Sequence, residues 1–214
     1  ANGNPHISYF GGLNTHLMYI SGGHTEDLGD TGYLSWASTS LALDESGNPH
    51  ISYFQDINED LKYSYKDADG WHLSTLDSEG SVGLYNSLAL DANGYPHMSY
   101  SQRYTDGTPG LVKYAYQDAM GWHISTVSAT GGVYTSIALD ANGDPHISYY
   151  DGTLKYAYQS GAGWDIATVD SAGDVGQFNS LALDTSGNPH ISYYDYTNKA
   201  LKYAYKEGTG WQIS

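Results

Sequence analysis

Residues 180–195 read SLALDTSGNPHISYYD, and this stretch decides the fold. Apolar and polar residues alternate in SLALD and again in HISYY, which is the period-two pattern of β-strands. The segment between them is rich in turn formers, and Gly187 can take the left-handed backbone conformation that a tight hairpin needs. The stretch therefore predicts two antiparallel strands, which we name strand a (SLALD) and strand b (HISYY), joined by a short turn.

The same hairpin recurs along the chain. Further copies of strand a begin at Ser40, Ser87 and Ser136, and the Pro-His pair that opens strand b occurs five times. The intervals between successive Pro-His pairs are 44, 47, 49 and 44 residues. Repetition at a nearly fixed interval of this length is typical of proteins built from copies of one structural unit. The five histidines are His6, His50, His97, His146 and His190.

Two more segments complete each copy. A strand c such as LKYAY, from Leu201, follows strand b, and a Gly-Trp pair then opens a strand d such as WHISTV. Four antiparallel strands per unit of about 40–50 residues indicate the blade of a β-propeller. We predict an all-β chain that forms one five-bladed propeller over residues 1–214, with repeats at about 1–39, 40–86, 87–135, 136–179 and 180–214. The Gly-Trp tryptophans are Trp71, Trp122, Trp164 and Trp211.

The first copy departs from this pattern. It has no strand a, and Asp27 stands where the other copies have tryptophan. We therefore expect an incomplete first blade, so that either the chain belongs to a longer array or the ring closes in an unusual way. The vacant strand position also predicts self-association, in which a neighbouring molecule donates a strand.

Residue parity predicts how the blades stack. Along strand c, Tyr114 and Tyr116 point to one face and Ala115 to the other. We expect each blade to have a bulky face and a small-residue face, with the bulky face of one blade packing on the small-residue face of the next.

The charge balance excludes several kinds of partner. The chain has 24 acidic and 8 basic residues, a net charge of −16 and no cysteine. Nucleic acids and anionic membrane surfaces require clusters of Lys and Arg, so neither is an expected partner. No apolar run approaches the roughly 20 residues of a membrane span, and no membrane insertion is expected. We predict an extracellular or cell-surface protein.

The repeated histidines and tryptophans have two interpretations. A ring of imidazoles could bind a metal or ligand, whereas a histidine that recurs in every blade could make a structural hydrogen bond. Identical placement favours the structural role, because a scaffold must recur and a binding site need not. The turns that begin at Asp44, Asp91, Asp140 and Asp184 partly match calcium loops but lack the terminal bidentate glutamate. We predict no metal site and no cofactor, with calcium as the alternative.

The loops that join strands b–c and d–a share one face of a propeller, and this face has the composition of a sugar site. Aromatic rings stack on the apolar faces of sugars, and carboxylates accept hydrogen bonds from their hydroxyls. Repetition would supply several such sites and raise avidity. The alternative for each residue is a structural role, in which the aromatic side chains fill the space between neighbouring blades and the aspartates cap turns. The candidates are Tyr85, Tyr134, Phe178 and Trp36 before strand a, and Asp56, Asp151 and Asp195 after strand b.

Catalysis is less well supported. The turns resemble in part the Asp-box of sialidase-like propellers, although Pro-His stands at the aromatic position of that box. Sialidases hold the substrate carboxylate with three arginines, and this chain has a single arginine, Arg103. A propeller glycoside hydrolase needs unlike residues from unlike blades, yet these copies stay close to one consensus. We predict that the protein is not an enzyme and place a glycoside hydrolase third.

The consensus SLALDxxGNPHISYYD…LKYAY…GW resembles the tandem propeller repeats of secreted and cell-surface proteins of bacteria and archaea. The overall plan is also similar to the five-bladed tachylectin-2-type lectins, whose own repeat motif is not present. These resemblances imply a propeller and, by analogy, sugar binding. We predict a multivalent module that binds carbohydrate or a cell-surface protein. The alternative is a structural or protein-interaction propeller of a surface layer or filament.

Overall fold

The computed structural model describes residues 3–12, 15–32, 38–104, 110–161 and 163–214. Trp36 lies outside these ranges. Within them every regular element is a strand, and the nineteen strands form five antiparallel sheets. No helix in the described part of the chain is long and apolar enough to cross a membrane.

The first sheet has three strands and the other four sheets have four each, which confirms the prediction of a five-bladed propeller-like fold with an incomplete first blade. Each complete sheet follows the order a, b, c, d. Blade 1 holds β1 (His6–Gly11), β2 (His16–Ser21) and β3 (His24–Asp30), and blade 2 holds β4 (Thr39–Leu43), β5 (Pro49–Gln55), β6 (Asp60–Asp67) and β7 (Gly70–Asp77). Blade 3 holds β8 (Ser81–Leu90), β9 (Pro96–Arg103), β10 (Leu111–Asp118) and β11 (Gly121–Ser128). Blade 4 holds β12 (Val133–Leu139), β13 (Pro145–Tyr150), β14 (Leu154–Ser160) and β15 (Gly163–Asp170), and blade 5 holds β16 (Val175–Leu183), β17 (Pro189–Asp195), β18 (Ala200–Glu207) and β19 (Gly210–Ile213).

The turn between strands a and b is held by its own aspartate. In blade 5 the Asp184 carboxylate accepts hydrogen bonds from the backbone N–H groups of Ser186 and Asn188, both at 2.8 Å. Together with the Asn188 side chain, these donors lower the pKa of Asp184 to about 2. Gly187 takes φ 79°, the left-handed conformation that the sequence predicts. Calcium binding at such turns stays a prediction.

The apolar core lies in the four seams between adjacent blades. We call the side of a blade that meets the following blade its forward face and the opposite side its rear face. In the seam between blades 3 and 4, Val112 and Tyr114 of strand c form the forward face, and they pack against the rear face of blade 4. That rear face consists of the bulky residues of strands a and b, Ile137, Ile147 and Tyr149, with Trp164 of strand d at its border.

The expectation of one bulky and one small-residue face per blade is therefore wrong. The bulky residues of strand c point forward, whereas those of strands a and b point to the rear. Leu88 of strand a packs in the seam with blade 2, and its neighbour Ala89 faces the seam with blade 4. Ala115 of strand c lies opposite to Tyr114, on the rear face. Each face thus combines bulky and small side chains, because the parity of strand c is opposite to that of strands a and b.

Polar contacts at the innermost strands reinforce the seams between blades 2 and 5. In the three seams that join blades 2 to 5, a backbone N–H of strand a donates to a serine hydroxyl of the preceding strand a. A serine of strand b also donates to an Asn or Thr side chain of the next strand a. The backbone contacts are Leu88 to Ser40, Ile137 to Ser87 and Leu181 to Ser136, and the side-chain contacts are Ser52 to Asn86, Ser99 to Thr135 and Ser148 to Asn179.

Candidate functional site

Each Pro-His histidine forms a hydrogen bond within its own blade. In blade 3 this bond joins Nδ1 of His97 to the hydroxyl of Tyr114 on strand c, at 2.6 Å. Burial lowers the pKa of His97 and raises the pKa of Tyr114, which favours the neutral form of both groups. The other pairs are His6–Tyr19, His50–Tyr63, His146–Tyr156 and His190–Tyr203. The described residues contain no group of three or more histidines and carboxylates that could hold a metal ion.

The Gly-Trp tryptophans lie in the seams. Trp164 meets Tyr114 of the preceding blade edge-on, with ring centroids 5.3 Å apart, which is a favourable aromatic geometry. The same tyrosine thus contacts a histidine within its blade and a tryptophan from the next blade. The other pairs are Tyr19–Trp71, Tyr63–Trp122 and Tyr156–Trp211, with centroid distances of 5.2, 5.4 and 5.2 Å.

Two of the three candidate aspartates at the end of strand b hold local structure through their carboxylates. Asp195 is buried and accepts hydrogen bonds from the backbone and the side chain of Asn198, both at 2.8 Å. Asp151 accepts a hydrogen bond from the Thr153 hydroxyl at 2.7 Å. The backbone N–H of Asp56 donates to the carbonyl of Thr31, which ties blade 2 to the end of blade 1.

The three aromatic candidates of blades 3 to 5 come together. The ring centroids of Tyr85 and Tyr134 are 4.6 Å apart, and those of Tyr134 and Phe178 are 4.5 Å apart. We call this contiguous set the inner aromatic row, because each member lies on the innermost strand of its blade. Tyr85 and Tyr134 are half-buried, whereas Phe178 is 66% exposed.

The row depends on an unusual backbone conformation. Tyr85, Tyr134 and Phe178 have φ values of 52°, 55° and 50°, in the left-handed region that costs a non-glycine residue about 1–2 kcal/mol. Each residue lies at a register shift in the pairing of strands a and b, which is a β-bulge. The bulge removes the aromatic residue from the regular alternation of its strand and presents its ring to the neighbouring ring.

The following blade holds this strained conformation in place. The carbonyl of Tyr85 accepts a hydrogen bond from the Thr135 hydroxyl, and the carbonyl of Tyr134 accepts one from the Asn179 side chain, both at 2.7 Å. Sparsely populated backbone conformations persist where the surroundings over-determine them, and they cluster at ligand sites.

Polar groups flank the row beside Tyr134, its middle member, and at the Tyr85 end. Next to Tyr134, the hydroxyl of Tyr150 donates to Asp174 at 2.5 Å, and the amide of Gln177 approaches the same carboxylate at 3.3 Å. The rings of Tyr134 and Tyr150 are 6.1 Å apart. Sequence reasoning missed Asp174 and Tyr150. The available signal was the position of Asp174 in the d–a loop, four residues before Phe178.

A small cavity lies at the Tyr85 end of the row. It measures about 140 Å³ and brings Tyr85 together with the chain's single arginine, Arg103. Arg103 is exposed, so its guanidinium can offer several N–H donors to a ligand. The remaining lining residues are Leu84, Ser101, Gln102, Gly110, Gly132 and Val133.

A larger cleft of about 390 Å³ lies near the end of strand d of blade 2. Two of its three charged lining residues are already engaged with each other: Asp77 accepts hydrogen bonds from Lys113 at 2.5 Å and from the Tyr100 hydroxyl at 2.8 Å. The seam between blades 4 and 5 repeats the arrangement with Asp170, Lys202 and Tyr193. The cleft is therefore lined by an ion pair that belongs to the repeated scaffold, and the inner aromatic row is the better candidate site.

No protein-family model and no curated protein sequence matches the chain. Solved structures do match its fold. The SapL1 lectin in complex with α-methyl fucoside has a TM-score of 0.63 at 12% identity, over 100% of this chain and 76% of that chain. A variant of the Aleuria aurantia lectin in complex with Fucα1-6GlcNAc has a TM-score of 0.61 at 12% identity, over 94% of this chain and 71% of that chain.

Enzymes share the fold as well. The polysaccharide lyase Uly1 has a TM-score of 0.61 at 11% identity, over 100% of this chain and 71% of that chain. The Hadza microbial sialidase Hz136 has a TM-score of 0.62 at 13% identity, over 96% of this chain and 55% of that chain. At these identities the likeness concerns the fold, which binding proteins and enzymes have in common.

Proposed function

We propose that the protein binds glycans through the inner aromatic row, without turning them over. The observation that carries the proposal is the strained backbone of Tyr85, Tyr134 and Phe178, which sets three rings side by side. Left-handed aromatic residues reduce stability, and the rings they present form a continuous apolar surface with one highly exposed member. A surface of this kind suits the apolar face of a sugar ring.

The flanking polar groups supply the rest of a sugar site. The Asp174 carboxylate can accept and the Gln177 amide can donate hydrogen bonds beside Tyr134, and Arg103 can donate at the Tyr85 end of the row. Hydroxyl-rich ligands need such groups for orientation, because stacking alone does not fix the rotation of a sugar on an aromatic face.

The contact between the rings also bears on valency. Rings 4.5–4.6 Å apart leave no space for a separate sugar between them, so we propose one continuous site for an oligosaccharide across blades 3 to 5. The multivalent binding expected from the repeat stays a prediction, and it would require several such chains on one surface. We also propose an extracellular or cell-surface location, where glycans are presented.

The lectins that share the fold are in complex with fucosides, which supports methyl α-fucoside and fucosylated oligosaccharides as the first probes. The test is a glycan array followed by calorimetric titration of the best ligand. We expect Phe178→Ala and Tyr134→Ala to weaken binding at least about tenfold, since the loss of one ring contact with the sugar removes about 1.4 kcal/mol or more, which corresponds to a factor of ten.

The matched control is Met120→Ala. Met120 is 89% exposed on the c–d hairpin and does not contact the row, so its loss should leave the affinity unchanged. An array without any bound glycan would overturn the proposal and favour the alternative of a structural or protein-interaction propeller. Release of new reducing ends from a bound polysaccharide would show turnover and contradict the non-catalytic part.

A further inference from the structure

Within the described part of the chain, strand β1 has an unpaired edge. In blades 2 to 5, strand b lies between strands a and c, whereas β1 pairs only with β2 among the described residues. An unpaired edge presents a row of backbone N–H and C=O groups that can add a further strand.

Apolar side chains accompany this edge. Ile7 is 50% exposed and Tyr9 is 37% exposed, whereas their counterparts Ile51 and Tyr53 in blade 2 are 0% and 4% exposed. In blade 2 the residue directly opposite Ile51 is Leu41 of strand a. A strand added to β1 would therefore place an apolar residue beside Ile7 and cover part of the exposed surface.

The turn that precedes β1 already has the shape of an a–b hairpin. Gly3 takes φ 70°, close to the 83° of Gly47 and the 79° of Gly187 in the complete hairpins. The residues between this glycine and the histidine are the same in all three places, Asn-Pro. The chain thus enters β1 through a turn of the same conformation as in the blades that have a strand a. The edge of β1 that strand a would pair with is therefore oriented as in those blades.

The four complete blades show which residues of a strand a pair with strand b. Each pairs strands a and b in one register, with Leu or Ile of strand a opposite Ile or Met of strand b. These pairs are Leu41–Ile51, Leu88–Met98, Ile137–Ile147 and Leu181–Ile191. In each blade the next residue of strand a is Ala, opposite the histidine.

We propose that the edge of β1 binds an extended polypeptide segment with the pattern of strand a, Ser-Leu-Ala-Leu-Asp, added antiparallel with its first Leu opposite Ile7. The four strands of this kind in a second copy are already paired in their own sheets. The occupant is therefore an otherwise unpaired segment of the same repeat pattern. This inference is independent of glycan binding.

The opposite end of the blade series is exposed as well. Leu201 and Tyr203 on the forward face of blade 5 are 81% and 39% exposed, whereas Leu61 and Tyr63 are 0% and 3% exposed. This surface is the face of a sheet and offers no free ladder of hydrogen bonds, so it defines no register. The edge of β1 does define one, and it carries the proposal.

The test uses the full chain and a fluorescent synthetic peptide with the sequence of residues 177–184, QFNSLALD. We expect saturable binding by fluorescence anisotropy and slower hydrogen exchange in residues 6–11. Residues 49–55, the matched strand of blade 2, should show no change because their edge is occupied. A control peptide with proline at the position of Ala182 loses a ladder N–H and should not bind.

Protein variants locate the peptide. Ile7→Lys should weaken binding at least about tenfold, because it removes the apolar cross-strand partner of the peptide's first leucine. Leu73→Lys is the matched control: Leu73 is also a strand residue at 50% exposure, but it lies on strand d of blade 2. The proposal is overturned if no binding or exchange protection occurs, if the proline peptide binds equally well, or if Ile7→Lys has no more effect than Leu73→Lys.

Discussion

Two sets of aromatic residues recur in this molecule, and they behave differently. The seam tyrosines such as Tyr114 are buried, contact both a histidine and a tryptophan, and have ordinary strand backbones. The inner aromatic row combines left-handed backbones with partial or high exposure. The buried seam tyrosines stabilise the fold. The inner aromatic row reduces stability but presents apolar rings to solvent, and such a loss of stability is common at binding sites.

The largest expected effect comes from removing a seam tyrosine. Tyr114→Ala should lower the free energy of unfolding by about 3–5 kcal/mol, because a large buried ring leaves a cavity between two blades. The matched variant is Tyr203→Ala, at the same position of blade 5, where no blade among the described residues covers the ring and 39% of the residue is exposed. Tyr203→Ala should lower the free energy of unfolding by about 1 kcal/mol or less.

Urea denaturation of both variants measures the difference. Equal losses would contradict the account that each seam tyrosine is stabilised mainly by the next blade. A larger loss for Tyr203→Ala would contradict it more strongly.

A second, smaller effect is a dependence of stability on pH. Burial lowers the pKa of His50, His97 and His146 in the folded chain below the ordinary value of 6.5. The unfolded chain therefore binds more protons, so stability is complete above about pH 6.5 and falls as the pH decreases through the range between the unfolded and folded pKa values. Each histidine contributes a slope of at most about 1.4 kcal/mol per pH unit.

Urea titrations at pH 7.5, 6.5 and 5.5 check this prediction, and His97→Gln should reduce the slope. A free energy of unfolding that stays constant from pH 7.5 to 5.5 would contradict the neutral, buried histidines. So would an unchanged slope in the variant.

The smallest expected effect concerns the left-handed backbone, which the inner aromatic row has and the seam tyrosines do not. Phe178→Gly should raise the free energy of unfolding by about 1 kcal/mol relative to Phe178→Ala, because glycine adopts φ 50° without the cost that alanine keeps. Thermal and urea denaturation of the pair measure the difference. An equal or lower stability of the glycine variant would mean that the bulge is not strained.

The sequence contained most of the fold and part of the site. Period-two alternation and the recurrence of Pro-His and Gly-Trp predicted the strands, the five blades and the missing first strand. Parity along one strand did not predict how the faces combine, because strand c has the opposite orientation to strands a and b. The left-handed conformation of Tyr85 was not predictable either, since local preferences assign such positions to glycine or asparagine.

The polar groups of the site were the hardest to find. Asp174 and Arg103 come from segments that differ between the copies, so the repeat gives no information about them. By contrast, Asp151 and Asp195 were visible because they recur, and the structure shows that recurrence reflects their place in the b–c turns. In this chain the recurring residues thus include both the scaffold and the inner aromatic row, whereas the polar groups of the site come from variable positions.

The most direct test of glycan binding at the inner aromatic row is a calorimetric titration of the best array ligand into the wild-type chain and the Phe178→Gly variant, with their free energies of unfolding measured in parallel. We predict that the variant is at least as stable as the wild type and that it binds the ligand at least about tenfold more weakly. A variant that binds with unchanged affinity would contradict the account, because the exposed ring would then serve no purpose in recognition.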